Sequence, residues 1–132
     1  MGKELLQVTD ARTAWEQVRD VLAECMAGAD DRVEDVYAGL IDGRYTLLTA
    51  DDAIAVVTIL PIANRGAKEL LVVCAHSRGG EGGALKRYQN QIDVFARRAG
   101  AVRVRIVTRH EWMPRALPPG WALSMCEYVR TL

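Results

Sequence analysis

A glycine-rich segment between a β-prone run and a helix-prone run carries the strongest chemical signal in the sequence. It reads Ser77-Arg-Gly-Gly-Glu-Gly-Gly83 and precedes a helical stretch from Ala84 to Ala99. Glycines let backbone N–H groups approach a ligand, and a helix N-terminus adds unpaired donors and partial positive charge. We therefore expect a site for a phosphate or pyrophosphate here. The expected contacts come from Ser77, Arg78, Gly79, Gly80, Gly82 and Gly83.

This segment does not match a single nucleotide-binding motif. It lacks the Gly-Lys-Ser/Thr ending of a P-loop because Ala84 and Leu85 follow Gly83. Leu85 also stands where a Gly-x-Gly-x-x-Gly fingerprint needs its last glycine. Glu81 would repel a phosphate unless its side chain points outward. An ordinary surface loop between a strand and a helix is the alternative interpretation.

Groups that could transfer a proton are few. The carboxylates of Glu69, Glu111 and Glu127 are candidate bases and the Tyr128 hydroxyl is a candidate acid, although an ion-paired or solvated role is common for such groups. The cysteines form no Cys-x-x-Cys pair, and His76 and His110 have no partner at metal-ligand spacing. We therefore expect no metal site, and free thiols of the kind found in reducing compartments.

Positive charge is concentrated in the second half of a chain whose formal net charge is zero. Residues 1–36 hold four basic and nine acidic residues, whereas residues 78–115 hold nine basic and three acidic ones. Arg103 and Arg105 share one side of a predicted strand, opposite Val102, Val104 and Ile106. With Arg109 and Trp112, these arginines form a candidate surface for a protein partner. The alternative is that they pair with the acidic N-terminal helices. Nucleic acid is a weaker candidate partner because few aromatics lie among the arginines.

The elements that must position these residues follow from apolar spacing and turn signals. The 132 residues predict one domain, 1–132, with the order β-α-α-β-β-β-α-β-(α)-β and an α/β sheet of mixed direction. Asp10 is the predicted N-cap of the first helix, and Asp31 with Glu34 that of the second. The predicted strands include 5–8, 44–50, 53–60, 69–76, 102–106 and 121–129, and a short helical turn is predicted over 111–117. The strand over 69–76 is nearly all apolar, which predicts burial on both faces.

No segment predicts a membrane span or an export signal. The longest apolar stretch, from Ala53 to Ala63, is too short to cross a bilayer, and the N-terminus has no signal-peptide core. We therefore expect a protein of the cytoplasm. An oligomer is compatible with the sequence.

The order of elements around the glycine-rich segment resembles the GNAT superfamily of acyl-CoA N-acyltransferases. In that family a Gln/Arg-x-x-Gly-x-Gly/Ala loop holds the coenzyme A pyrophosphate. Gly80 and Gly82 match its two glycines, while Ser77 stands where Gln or Arg is usual. Gly120-Trp121 is similar to the family's Gly-Phe turn. The resemblance implies a mostly antiparallel mixed sheet flanked by helices, and acetyl-CoA or coenzyme A as a ligand.

Several short segments of the chain carry a narrower resemblance. They are Trp15-Glu-Gln-Val-Arg19, Glu34-Asp-Val-Tyr-Ala38, Gly43-Arg44, Ala96-Arg-Arg-Ala-Gly100, Val104-Arg-Ile106, Arg109-His-Glu-Trp112 and Leu117-Pro-Pro-Gly-Trp121. This pattern is similar to that of small GNAT-like proteins encoded by tailed bacteriophages. The resemblance implies a non-catalytic, virion-associated or assembly protein, in the cytoplasm of a bacterial host or in the virion, whose partners are other virion proteins.

The position of the family's catalytic acid favours the non-catalytic hypothesis. Many GNAT enzymes have a tyrosine five residues before the Phe of the Gly-Phe turn, and here that position is Ala116. The alternative hypothesis is an acetyl-CoA-dependent N-acetyltransferase with an unidentified amine acceptor. It would use substrate-assisted or water-mediated proton transfer, with the strand around Cys74–His76 orienting the thioester, and Tyr128 and Glu111 as candidate catalytic residues.

Overall fold

The computed structural model describes residues 7–26, 32–63, 65–77, 83–106 and 130. The predicted order of elements is confirmed up to the fifth strand, and the predicted elements over 111–117 and 121–129 lie outside the described residues. No described helix is both long and apolar enough to cross a membrane. The elements are β1 (Gln7–Thr9), α1 (Ala11–Cys25), α2 (Val33–Asp42), β2 (Thr46–Ala50), β3 (Ala53–Ile62), β4 (Ala67–Ser77), α3 (Gly83–Arg98) and β5 (Ala101–Ile106).

The described strands form one five-stranded sheet in the order β1-β2-β3-β4-β5. The pairs β1–β2, β2–β3 and β3–β4 are antiparallel, whereas the pair β4–β5 is parallel. Parallel neighbours need a long crossover, and α3 provides it. The β2–β3 turn lies at Asp51-Asp52, as predicted, and the β3–β4 turn contains Gly66 with a φ of 62°. The expected mixed, mostly antiparallel sheet with flanking helices is confirmed.

Helices cover both faces of the sheet. On one face, α1 and α2 pack over a cluster that includes Leu22, Val36 and Val56, and on the other, α3 packs over a cluster around Leu70 and Val72. β4 serves both faces, as predicted, since its next residues, Val73 and Cys74, pack against the α1/α2 cluster. A strand buried on both faces needs apolar residues at successive positions, which accounts for the Leu-Leu-Val-Val run.

The N-terminus of α1 is capped as predicted, but that of α2 is capped one residue later than expected. Asp10 Oδ1 accepts from the Arg12 backbone N–H at 3.0 Å. In α2 the capping residues are Arg32 and Asp35, because the Asp35 carboxylate accepts from the Arg32 backbone N–H at 3.2 Å. Glu34 instead accepts from Arg19 of α1 at 3.3 Å and so links the two helices.

The side-chain alternation of β5 begins later than predicted. The pairing of β5 with β4 shifts register between Lys68 and Glu69, which leaves Val102 without a strand partner in the described pairing. Val102 is consequently 69% exposed and does not join the apolar face with Val104 and Ile106. A β-bulge of this kind adds one residue and resets the faces of the strand beyond it.

Candidate functional site

The C-terminal end of β4 and the N-terminal end of α3 flank the glycine-rich segment. Ser77 is the last residue of β4 and pairs with Ala53, the first residue of β3, while Gly83 opens α3. In chain order, the next described element after β4, a strand inside the sheet, is therefore the N-terminus of α3. Four of the predicted anion contacts, Arg78, Gly79, Gly80 and Gly82, lie outside the described residues.

A β-bulge interrupts β4 near this end. Val56 pairs with Cys74 and Val57 pairs with Val72, so Val73 is the additional residue. The last described pair between β4 and β5 is Val72 with Ile106, and β4 continues from there to Ser77. Within the described residues, the edge of β4 beyond Val72 that faces β5 has no strand partner.

Glu69 is an ion-paired carboxylate between two arginines. Its side chain is only 5% exposed, and it accepts from Arg103 Nε at 2.7 Å and from Arg105 Nε at 2.8 Å. Burial alone would raise the pKa of Glu69, but the hydrogen bonds and positive charges of Arg103 and Arg105 together hold it below its ordinary value. A carboxylate that is held ionised and fully occupied is a poor general base.

This arrangement decides what Arg103 and Arg105 contact. The alternative in which they pair with the acidic N-terminal helices is wrong, because their partner is Glu69 on the neighbouring strand. The arginines pair across the strands because the parallel register places Arg103 opposite Glu69. The side chain of Arg105 reaches the same carboxylate. Their side chains remain 45% and 39% exposed, so both still present guanidinium surface to solvent. Arg109, Glu111, Trp112, Glu127 and Tyr128 lie outside the described residues.

The two described thiols are close to the bulge and are not activated. The Cys25 Sγ, at the end of α1, is 3.8 Å from the carbonyl oxygen of Ala75, to which it donates. Burial, reinforced by the neighbouring Cys25, raises the pKa of Cys74 to about 12. Burial also raises the pKa of Cys25, with Glu24 adding to the shift. Both thiols are therefore protonated at neutral pH and are weak nucleophiles.

One polar cluster beside the site was not predicted from the sequence. Tyr88 of α3 donates its hydroxyl to Asp52 Oδ1 at 2.5 Å, and Arg87 forms an ion pair with the other carboxylate oxygen of Asp52. In the sequence, Asp52 lies between two predicted strands and Tyr88 lies within a predicted helix, and neither position carries a further signal. The contact joins residues 36 positions apart, and no local pattern predicts such a pair.

Comparison with known proteins identifies the fold. No protein-family model and no curated protein sequence matches the chain. Solved structures do match over nearly the whole chain. A GNAT family acetyltransferase from Staphylococcus aureus is 12% identical with a TM-score of 0.65, and the match covers 100% of both chains.

Two further structures extend this likeness to other organisms. A ribosomal-protein-alanine N-acetyltransferase from Brucella melitensis is 15% identical with a TM-score of 0.70, covering 96% of this chain and 97% of that one. An acetyltransferase from Trypanosoma brucei is 14% identical with a TM-score of 0.65, covering 96% and 98%. At these identities the likeness shows the fold alone, and the fold is that of the GNAT acetyltransferases.

Proposed function

We propose that this GNAT-fold chain binds an acyl-coenzyme A, with acetyl-CoA as the first candidate, and transfers the acyl group to an amine. The observation that carries the proposal is the unit in which β4 ends at Ser77, α3 begins at Gly83 and β5 returns parallel to β4. In open α/β sheets, ligands bind beyond the carboxyl ends of parallel strands. The near-complete overlap with acetyltransferase structures supports the same assignment.

The phosphate part of the ligand is assigned to the start of α3. The first turn of a helix has unpaired N–H groups and a partial positive charge, both of which favour a pyrophosphate. The glycine-rich composition of the preceding segment allows close approach of the backbone. We propose that Ser77, Arg78, Gly79, Gly80, Gly82 and Gly83 supply these contacts.

The amide-bearing arm of the ligand is assigned to the edge of β4 beyond Val72. An extended chain with amide groups adds to an open strand edge through main-chain hydrogen bonds. The bulge at Val73 supports this assignment because bulges re-aim the backbone next to functional sites. The thioester would then lie near the stretch from Cys74 to His76.

The described residues favour direct transfer over a covalent enzyme intermediate. The unprotonated amine attacks the thioester carbonyl, the C–N bond forms and the C–S bond breaks. The amine loses one proton, and the coenzyme leaves as a thiol after gaining one. Cys25 and Cys74 are protonated thiols and Glu69 is held by two arginines, so none of them is suited to be the nucleophile or the base. The remaining candidates for the proton steps are Tyr128, Glu111, Glu127, water and the substrate itself.

Calorimetry with acetyl-CoA, and with free coenzyme A as a parallel titrant, tests the proposal. We expect dissociation constants near micromolar, which correspond to about −8 kcal/mol. Gly82→Val, which adds a branched side chain to the segment before α3, should abolish binding and leave the circular dichroism spectrum unchanged. Gly66→Ala is the matched control, because Gly66 lies in the β3–β4 turn at the opposite end of those strands.

The competing hypothesis is a non-catalytic protein of the phage GNAT-like type, with Arg103, Arg105, Arg109 and Trp112 as its partner surface. It expects no heat with acetyl-CoA even at millimolar ligand. Binding that is lost in Gly82→Val would instead justify an acceptor screen in which released coenzyme thiol is measured against a panel of amines. Binding that survives Gly82→Val would contradict the assignment of the pyrophosphate to this segment.

A further inference from the structure

We infer that Asp52 is a positioning residue for coenzyme binding, acting by fixing the start of α3 against the end of β4. The inference rests on the proposed function. Asp52 lies in the turn between β2 and β3, and the evidence for its role is its two contacts with α3. These contacts are the hydroxyl of Tyr88 on one carboxylate oxygen and the guanidinium of Arg87 on the other.

The argument begins with the position of the β2–β3 turn. Asp52 immediately precedes Ala53, and Ala53 pairs with Ser77, the residue at which β4 ends. Through this pairing the backbone of the turn adjoins the end of β4. Its side chain reaches α3 one helical turn beyond Gly83. Two adjacent residues therefore contact the two elements that flank the proposed pyrophosphate site: Ala53 pairs with the end of β4, and Asp52 contacts α3.

The contact between Asp52 and Tyr88 is largely shielded from solvent, so the two side chains hold a defined arrangement. Tyr88 is 4% exposed and belongs to the apolar cluster under α3, so its ring cannot reorient freely. The side chain of Asp52 is 27% exposed, and Arg87 also lies over the Tyr88 ring, with its guanidinium carbon 5.8 Å from the ring centroid. Hydrogen bonds to charged groups are the stronger ones in proteins. The carboxylate thus joins the first part of α3 to the β2–β3 turn, and through Ala53 to the end of β4.

A fixed helix start matters because the N–H groups of the first turn of α3 are the proposed donors to the pyrophosphate. A ligand that binds to preorganised donors does not have to provide the free energy of positioning them. We therefore expect removal of the Asp52 carboxylate to weaken coenzyme binding through its effect on the start of α3.

The test measures coenzyme A affinity by calorimetry, well below the thermal unfolding midpoint of every variant. Asp52→Ala removes both contacts and should weaken binding about tenfold. Tyr88→Phe removes only the hydroxyl and should weaken binding about threefold, and the double variant should bind no more weakly than Asp52→Ala. Asp52→Asn keeps an oxygen that accepts from the Tyr88 hydroxyl and should recover most of the affinity.

The matched control is Asp42→Ala. Asp42 also pairs with an arginine, since Arg44 Nε lies 2.7 Å from its carboxylate, but this pair precedes β2 and Asp52 follows it. Asp42→Ala should leave coenzyme affinity unchanged. A merely structural role for Asp52 would lower the unfolding midpoint and leave the affinity of the folded protein unaltered.

The outcomes separate this inference from the proposed function. If the unmodified protein binds no coenzyme A, both are overturned. If it binds and Asp52→Ala and Tyr88→Phe bind equally well, only the positioning role is overturned. Tighter binding by Asp52→Asn or Asp52→Ala would also overturn it, because Asp52 would then act only by repelling phosphate or by occupying Arg87. If Asp52→Ala fails to fold, the coenzyme A affinity of Tyr88→Phe decides: weaker binding supports the positioning role, and unchanged binding overturns it.

Discussion

Glu69 and Arg103 lie opposite each other on the parallel strands β4 and β5, and Arg103 Nε donates to Glu69 Oε2 at 2.7 Å. Arg105 completes the contact on the other carboxylate oxygen. A candidate base, Glu69, and two residues of the candidate partner surface, Arg103 and Arg105, thus form one structural contact that joins β5 to the sheet.

Replacement of Glu69 by Gln should destabilise the fold. The amide offers one acceptor oxygen to two guanidinium groups and turns an NH₂ toward them, so charge-assisted hydrogen bonds are lost. We expect the free energy of unfolding to fall by about 2 kcal/mol in urea titrations. Glu16→Gln, on the exposed face of α1, is the control and should change it by less than about 0.5 kcal/mol. Equal effects of the two substitutions would contradict the structural role of Glu69.

The same carboxylate should make stability fall in acid. The pKa of Glu69 is lower in the folded protein than its ordinary value, so its contribution is fully present above the unfolded pKa of about 4.3 and is lost as the pH falls through the folded value. The difference in unfolding free energy between wild type and Glu69→Gln should therefore shrink between about pH 5 and pH 3. A difference that stays constant over that range would mean that Glu69 has an ordinary pKa.

Cys74 should be inert to alkylation while the protein is folded. Its raised pKa, about 12, leaves almost no thiolate at pH 8, and its side chain packs against the α1/α2 cluster. Iodoacetamide labelling followed by peptide mass spectrometry should show Cys74 unlabelled in the native protein and labelled in urea. Labelling of Cys74 at the same rate in both conditions would contradict the described packing. Each cysteine is read from its own peptide, which provides the internal comparison.

Gly39→Ala should be destabilising although alanine is the better helix former. An added Cβ would lie 2.5 Å from Cδ2 of Tyr45, whose ring packs across α2 at this point. We expect a net loss of about 1–2 kcal/mol in the free energy of unfolding, since overpacking outweighs the helix-propensity gain of about 1 kcal/mol.

Tyr45→Ala provides the background in which this explanation can be tested. Without the ring, Gly39→Ala should become neutral or stabilising by up to about 1 kcal/mol. Thermal or urea unfolding of the four proteins in the cycle gives the coupling directly. If Gly39→Ala lowers the free energy of unfolding equally with Tyr45 and with Ala at position 45, contact with the Tyr45 ring is not the reason that position 39 requires glycine.

The elements of this fold could be predicted because their signals are local. Asp10 caps α1 through a residue two positions away, and Gly43 ends α2 with a φ of 86° that glycine adopts readily. The nearly all-apolar composition of the strand over 69–76 predicts its burial on both faces. Such features require no knowledge of which strand lies beside which.

The contacts around the candidate site could not be predicted, because they depend on strand register. Asp52 meets Tyr88 only once α3 has crossed from β4 to β5, and Glu69 meets Arg103 only in the register that the bulge before it sets. A shift of one residue in β5 would turn the Arg103 side chain to the opposite face of the sheet. The bulge at Val73 likewise leaves no signature in a run of four successive apolar residues.

The order of strands in the sheet also bears on how the molecule assembles. β2, β3 and β4 are joined by short turns, so they can form hairpins with little loss of chain entropy. β1 and β5 can dock only after longer loops close, because α1 and α2 lie between β1 and β2, and α3 lies between β4 and β5. Contacts of that range form slowly. We expect β1 and β5 to join after the unit of β2, β3 and β4 has formed. Until β5 docks, the edge of β4 that it covers stays open, and that edge is a surface prone to pair with another copy of the chain during synthesis.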